Sequence, residues 1–143
     1  TGVSDSVRDL IWGKLVINAG INPVTALVRL ANGELLRHAE ARWLQRRLVE
    51  EAAEAAGGAG VRLPFEDPVA KAAEVCRLTA ANRSSMLQDV LKGKRTEIDQ
   101  INGAVVREAE RVGVAVPVNA AVRALVRVVE DTYHMRVEPA PKP

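Results

Sequence analysis

Two stretches put polar side chains where the packing of a helical protein should be driest: WGKLVINAGINPVTA at 12–26 and NRSSMLQDVLKGKRTEIDQIN at 82–102. On a helical wheel, Val7, Leu10, Ile11, Ile17 and Asn18 all fall within about 60° of Lys14. Trp12, Leu15, Val16 and Ala19 occupy the opposite side, so this helix is apolar nearly all round and is expected to be buried. A lysine in the centre of such an arc either snorkels to water or sits partly desolvated in a cleft. Desolvation lowers the pKa of an ammonium and makes it a proton donor usable near neutrality. In the second stretch, Asn82, Ser84 and Ser85 interrupt what would otherwise be one helix from Pro68 to Leu91. Glu97 follows, and Asn102-Gly103 places a glycine inside a helix at a cost of about 1 kcal/mol. That glycine is expected to admit a neighbouring backbone. Taken singly, these residues read as helix break, cap and first-turn acid. Taken with Lys14 and Asn18, they point to a polar pocket walled by helices.

The elements that would build such a pocket are all helical. Ser4 or Ser6 is expected to cap a first helix ending near Gly20, and Asn22-Pro23 to open a second that runs to about Leu30. Asn32-Gly33 reads as a turn, followed by one long helix from Glu34 to the stop at Gly57-Gly58. Asp67-Pro68 caps a helix whose apolar stripe is Val69, Ala72, Ala73, Cys76 and Ala80. Ser84 or Ser85 starts a short helix to about Leu91. Thr96 with Asp99 is read as a variant capping box for a helix that stops at Gly113. A last helix spans roughly Val118 to Met135, and VGVAVPV, interrupted by Pro117, reads as a connector and not a strand. The fold class is all-α.

Bulk properties narrow the function. The 143 residues suit one domain, and with 48% hydrophobic but only 3% aromatic residues the core must be aliphatic. Few aromatics and a single short basic cluster, KGKR at 92–95, argue against nucleic-acid binding. The net charge is +2, from 20 basic and 18 acidic residues. One cysteine, Cys76, suits a reducing compartment. With no span of about 18 apolar residues, a cytoplasmic protein without a membrane partner is expected. Glu34 and His38 read as a surface pair, so no metal site is expected. Phosphate-binding glycine motifs are absent from the sequence.

The combination K-L-x-x-N-x-x-I-N-P-x-T-A, N-x-S-S-M-L-Q-D and R-T-E-I-D-x-I-N-G closely resembles the C-terminal domain of the ketopantoate reductase (2-dehydropantoate 2-reductase) family, over about residues 3 to 135. The resemblance implies a helical bundle like the C-terminal domain of 6-phosphogluconate dehydrogenase over residues 1–136, with an extended or disordered tail at 137–143. It implies NADPH-dependent reduction of 2-dehydropantoate to pantoate, on the route to pantothenate and coenzyme A. Lys14 corresponds to the catalytic general acid, Asn18 and Asn22 to substrate-binding amides, Ser85 to the serine on the substrate carboxylate, and Glu97 to the glutamate that accepts from a substrate hydroxyl. Asn82 falls near the same pocket, with helix termination as its alternative role. In that family NADPH is bound mainly by an N-terminal Rossmann domain, which this sequence lacks. The chain is therefore expected to need that domain in cis or in trans, and to be inactive alone. Pairing through the helices, as a homodimer, is a further expectation. Two other readings stand beside this one: a paralogous domain acting on another branched 2-keto acid, and a non-catalytic helical dimerisation module.

Overall fold

The computed structural model describes residues 3–142, with the side chains of Val3 and Ser4 outside that description. Its α-helices are α1 (Val3–Val28), α2 (Ala39–Gly58), α3 (Pro68–Leu78), α4 (Ser85–Leu91), α5 (Asn102–Val112) and α6 (Pro117–Asp131), with 3-10 turns at Asn32–Arg37 and Tyr133–Met135. Among the described residues there is no strand, so the fold is all-α. α1 is the central element and packs against α2, α3, α4 and α6. Its second half is engulfed, with every residue from Ala19 to Ala26 buried. Around it the core is aliphatic, as the composition requires: Val16, Leu35, Leu48, Val49, Ile98, Val105 and Val126 are all 0–1% exposed.

The expected break at Asn22-Pro23 does not occur; α1 runs through it with Pro23 inside the helix. Proline at this position has no N–H to offer the carbonyl of Ala19 one turn back. That carbonyl instead accepts from the buried Asn102 amide, Nδ2 to O 3.2 Å, contributed by α5. The neighbouring Gly20 carbonyl accepts from Gln45 Nε2 at 3.3 Å. A tertiary donor from Asn102 therefore replaces the missing helical one, and the helix need not stop. Neither Ser4 nor Ser6 is the cap of α1, which already includes Val3.

Other boundaries also differ from expectation, among them the start of α5 at Asn102 and not directly after Thr96, and the end of α6 at Asp131 and not near Met135. The helix predicted from Glu34 begins only at Ala39, after a 3-10 turn and an extended His38 (φ −125°). The 3-10 turn is tied to the end of α3 by Asn32 N to Asn82 O and Gly33 N to Ala80 O, both 3.0 Å. Glu34 and His38 do meet at the surface, Oε1 to Nε2 3.5 Å. α3 ends at Leu78, so Ala80 lies beyond it and is exposed. Pro117 is the first residue of α6, not part of a connector.

By length and composition alone α1 could cross a membrane over Asp5–Val28, with mean hydropathy 1.2, which the sequence reading did not anticipate. Sixty-one per cent of its most apolar window is buried inside the molecule, so that apolarity serves the core.

Candidate functional site

A cavity of about 440 Å³ opens between α1, the N-terminal end of α4 and the segment preceding α5; it is lined by Ile11, Lys14, Leu15, Asn18, Asn22, Ser85, Glu97, Gln100 and Ile101. Because α1 is uninterrupted, Lys14, Asn18 and Asn22 follow one another at single-turn spacing along one face. The two stretches singled out in the sequence therefore share one cavity. Asn82 is not among its lining residues: it is exposed, and its backbone joins the end of α3 to the 3-10 turn. Gln100, Ile11, Leu15 and Ile101 were missed. Gln100 belongs to the same motif as Glu97, which was the one available signal.

Ser84, not Ser85, is the N-cap of α4, accepting from Leu87 N at 3.0 Å. Its hydroxyl also pairs with Thr25 Oγ1 of α1 at 2.7 Å, inside the molecule. Capping by Ser84 leaves the adjacent Ser85 hydroxyl exposed on the cavity side.

Glu97 stands in a run of turns between α4 and α5. The expected capping box is not formed. Asp99 faces α6, where Arg123 Nε donates to Oδ1 at 2.9 Å and Arg127 Nη1 to Oδ2 at 2.6 Å. The hydrogen bond from Arg123 is the main reason its carboxyl is held below the usual range, against opposing desolvation and with further help from Arg127. Thr96 N donates instead to Glu130. Gly103 likewise differs from expectation: a Cβ there would meet the side-chain tips of Arg107, Arg123 and Asp99 at 3.2–3.3 Å, not a backbone.

Lys14 is exposed. The apolar arc around it is largely exposed too, with Val7 48%, Leu10 62% and Ile11 59% accessible. The wheel located Lys14 on an apolar face correctly, but that face extends beyond the part of α1 that the other helices cover. A second cavity of about 420 Å³ lies on the other flank of Lys14 and Asn18, walled by Pro64, Phe65, Ile17 and Val75. A smaller one, about 240 Å³, shares Ser85, Glu97 and Ile101 with the main cavity and reaches Asp89 and Met86.

Chemically the main cavity offers one ammonium, three amides, one hydroxyl and one carboxylate against an aliphatic wall. That set suits a small oxygen-rich acid: a proton donor, donors for anionic oxygens, and an acceptor for a hydroxyl. Cys76 is not available for nucleophilic chemistry. Burial pushes its thiol pKa up, only partly offset by the hydrogen bond from Gln45. Among the described residues there is no strand, and so no strand–loop–helix cradle for a dinucleotide pyrophosphate.

The family profile described as ketopantoate reductase PanE/ApbA C terminal matches residues 6–130. A 2-dehydropantoate 2-reductase from Archaeoglobus fulgidus is 42% identical over 131 residues, covering 90% of this chain and 44% of that protein. Among solved structures, a PanE/ApbA family ketopantoate reductase from Ralstonia eutropha JMP134 superposes with a TM-score of 0.80 at 35% identity, covering 86% of this chain and 41% of that one. D-mandelate dehydrogenase in a ternary structure with NADH and anilino(oxo)acetate gives a TM-score of 0.83 at 27% identity, covering 92% and 43%. The chain spans less than half the length of each of these proteins. The profile match over most of the sequence, the shared helical architecture and the sequence identity agree: this chain belongs to the ketopantoate reductase PanE/ApbA C-terminal family.

Proposed function

We propose that the chain is the keto-acid-binding and proton-donating half of an NADPH-dependent reductase that converts 2-dehydropantoate to pantoate. The observation that carries this reading is the shared cavity: Lys14, Asn18 and Asn22 of α1, Ser85 of α4 and Glu97 of the turn before α5 line one space of about 440 Å³. Reduction of a ketone requires a hydride at carbon and a proton at oxygen. NADPH, held by a nucleotide-binding domain in cis or in trans, supplies the hydride when bound. Lys14 protonates the carbonyl oxygen, and the amides of Asn18 and Asn22 hold the substrate's oxygens in register. The Ser85 hydroxyl donates to the carboxylate. Glu97 accepts from a substrate hydroxyl and so favours the hydroxylated acid over its deoxy analogues. The patch of Val7, Leu10 and Ile11 beside the cavity is apolar and exposed, which supports it as the surface that receives the nucleotide-binding domain. Covering it excludes water from the cavity.

The test is reconstitution. The chain joined to the nucleotide-binding domain of its own reductase should oxidise NADPH with ketopantoate, and Lys14→Met should lower kcat by about a hundredfold or more. A joined protein that binds NADPH but leaves ketopantoate unreduced would refute the substrate assignment. The superposition on D-mandelate dehydrogenase favours a second reading, an aryl 2-keto acid in the same cavity with the same Lys14 chemistry. Comparing ketopantoate with an aryl 2-keto acid in one kcat/KM assay separates the two.

A further inference from the structure

Residues 92–101 contain no helix. Glu97 is held locally only by a turn, its carbonyl accepting from Gln100 N and Ile101 N, both at 3.0 Å. A further restraint comes from α6, whose Glu130 side chain is only 2% exposed and contacts Arg95 Nη1 at 3.1 Å. Its carboxylate also accepts from Thr96 N at 2.7 Å and from Thr96 Oγ1 at 2.6 Å. Thr96 Oγ1 accepts in turn from Ile98 N at 3.1 Å, and the Ile98 side chain is 1% exposed in the core. Both neighbours of Glu97 are thereby fixed, and the residue left between them is the one whose side chain enters the cavity. Arg123 and Arg127, on the same helix, hold Asp99 two residues further along.

We infer that Glu130 is a positioning residue for Glu97: from α6 it clamps Thr96, and it sets the orientation in which Glu97 meets the substrate hydroxyl. This rests on the role proposed above for Glu97. A carboxylate is required at position 130 because one oxygen faces Arg95 while the other takes both Thr96 donors. Glutamine keeps the volume but replaces one acceptor oxygen with an N–H donor, so part of the clamp opens.

Two titrations of the chain, followed by NMR, test this: one with pantoate and one with 3,3-dimethylbutanoate, the same skeleton without hydroxyls. The readout is the ratio of the two affinities, which a general loss of structure does not change. Glu97→Gln should lower the preference for pantoate by about tenfold. Glu130→Gln should lower it by about fivefold and change it by less than about twofold in the Glu97→Gln background. Thr96→Val, which removes the shared hydroxyl from the other side, should reproduce the loss and serves if Glu130→Gln does not fold. If Glu130→Gln and Thr96→Val weaken both acids equally, or if Glu130→Gln costs the same with and without Glu97, the positioning role is wrong. If Glu97→Gln itself leaves the ratio unchanged, the role of Glu97 fails first, and a different variant reports it.

Discussion

Replacing Asn102 by alanine should be among the most costly single changes in this chain, and the cost should depend on Pro23. Asn102 is fully buried and donates from one amide to two acceptors, Ala19 O at 3.2 Å and Asn119 Oδ1 at 2.9 Å. Alanine leaves both buried acceptors short of a donor, at about 1–3 kcal/mol each. The void adds about 1 kcal/mol. Against this, Asn102 Oδ1 is itself buried without a hydrogen-bond partner among the described residues, and removing it recovers about 1 kcal/mol. The net expectation is a loss of about 2–6 kcal/mol, read from urea unfolding with an unchanged m-value. The double-mutant cycle is more specific. Ala19 O needs Asn102 only because Pro23 has no N–H. In a Pro23→Ala background the helix provides that donor, so Asn102→Ala should cost about 1–2 kcal/mol less. Additivity within about 0.3 kcal/mol would mean that Asn102 does not stand in for the proline.

At Gly20, helix propensity alone favours alanine by about 1 kcal/mol. A Cβ there would nevertheless lie 2.4 Å from Val49 Cγ2, so Gly20→Ala should destabilise by about 2 kcal/mol. The penalty should vanish in a Val49→Ala background; thermal unfolding of the four chains checks this, and an undiminished penalty would contradict it. The third expectation concerns acid. Asp99 has its pKa depressed in the fold, chiefly by Arg123, so its contribution to stability is present above about pH 4 and lost as the pH falls through the folded-state value. Asp99→Asn should therefore melt below the parent chain at pH 7, modestly because the side chain is 40% exposed, and the two melting curves should converge under acid conditions. A gap independent of pH would assign the effect to packing.

What was legible in the sequence was what depended on neighbours within a turn. Asp67 caps α3 by accepting from Ala70 N three residues on, and Ser84 caps α4 by accepting from Leu87 N at the same spacing. Polar residue types inside aliphatic runs were equally visible, so Lys14, Asn18, Ser85 and Glu97 stood out before the cavity that joins them was known, whereas Asn22 read locally as a cap and entered the site only through the family resemblance. Local rules failed where the satisfying partner was remote. Asn22-Pro23 was expected to open a new helix, but the Ala19 carbonyl that Pro23 leaves without a helical donor is satisfied by an amide 83 residues from it. Thr96 and Asp99 matched a capping box, but Thr96 is completed by a carboxylate 34 residues on, and Asp99 belongs to α6. The wheel assigned Lys14 to an apolar face without revealing what covers it. These misses have a common consequence. Asn102 holds α1 at Ala19, between Asn18 and Asn22, and Glu130 holds the backbone on either side of Glu97. The contacts that could not be read from the sequence are the ones that position the side chains that could. A variant that keeps every lining residue of the cavity but loses the Glu130 contact should thus lose hydroxyl recognition first, before it loses the fold.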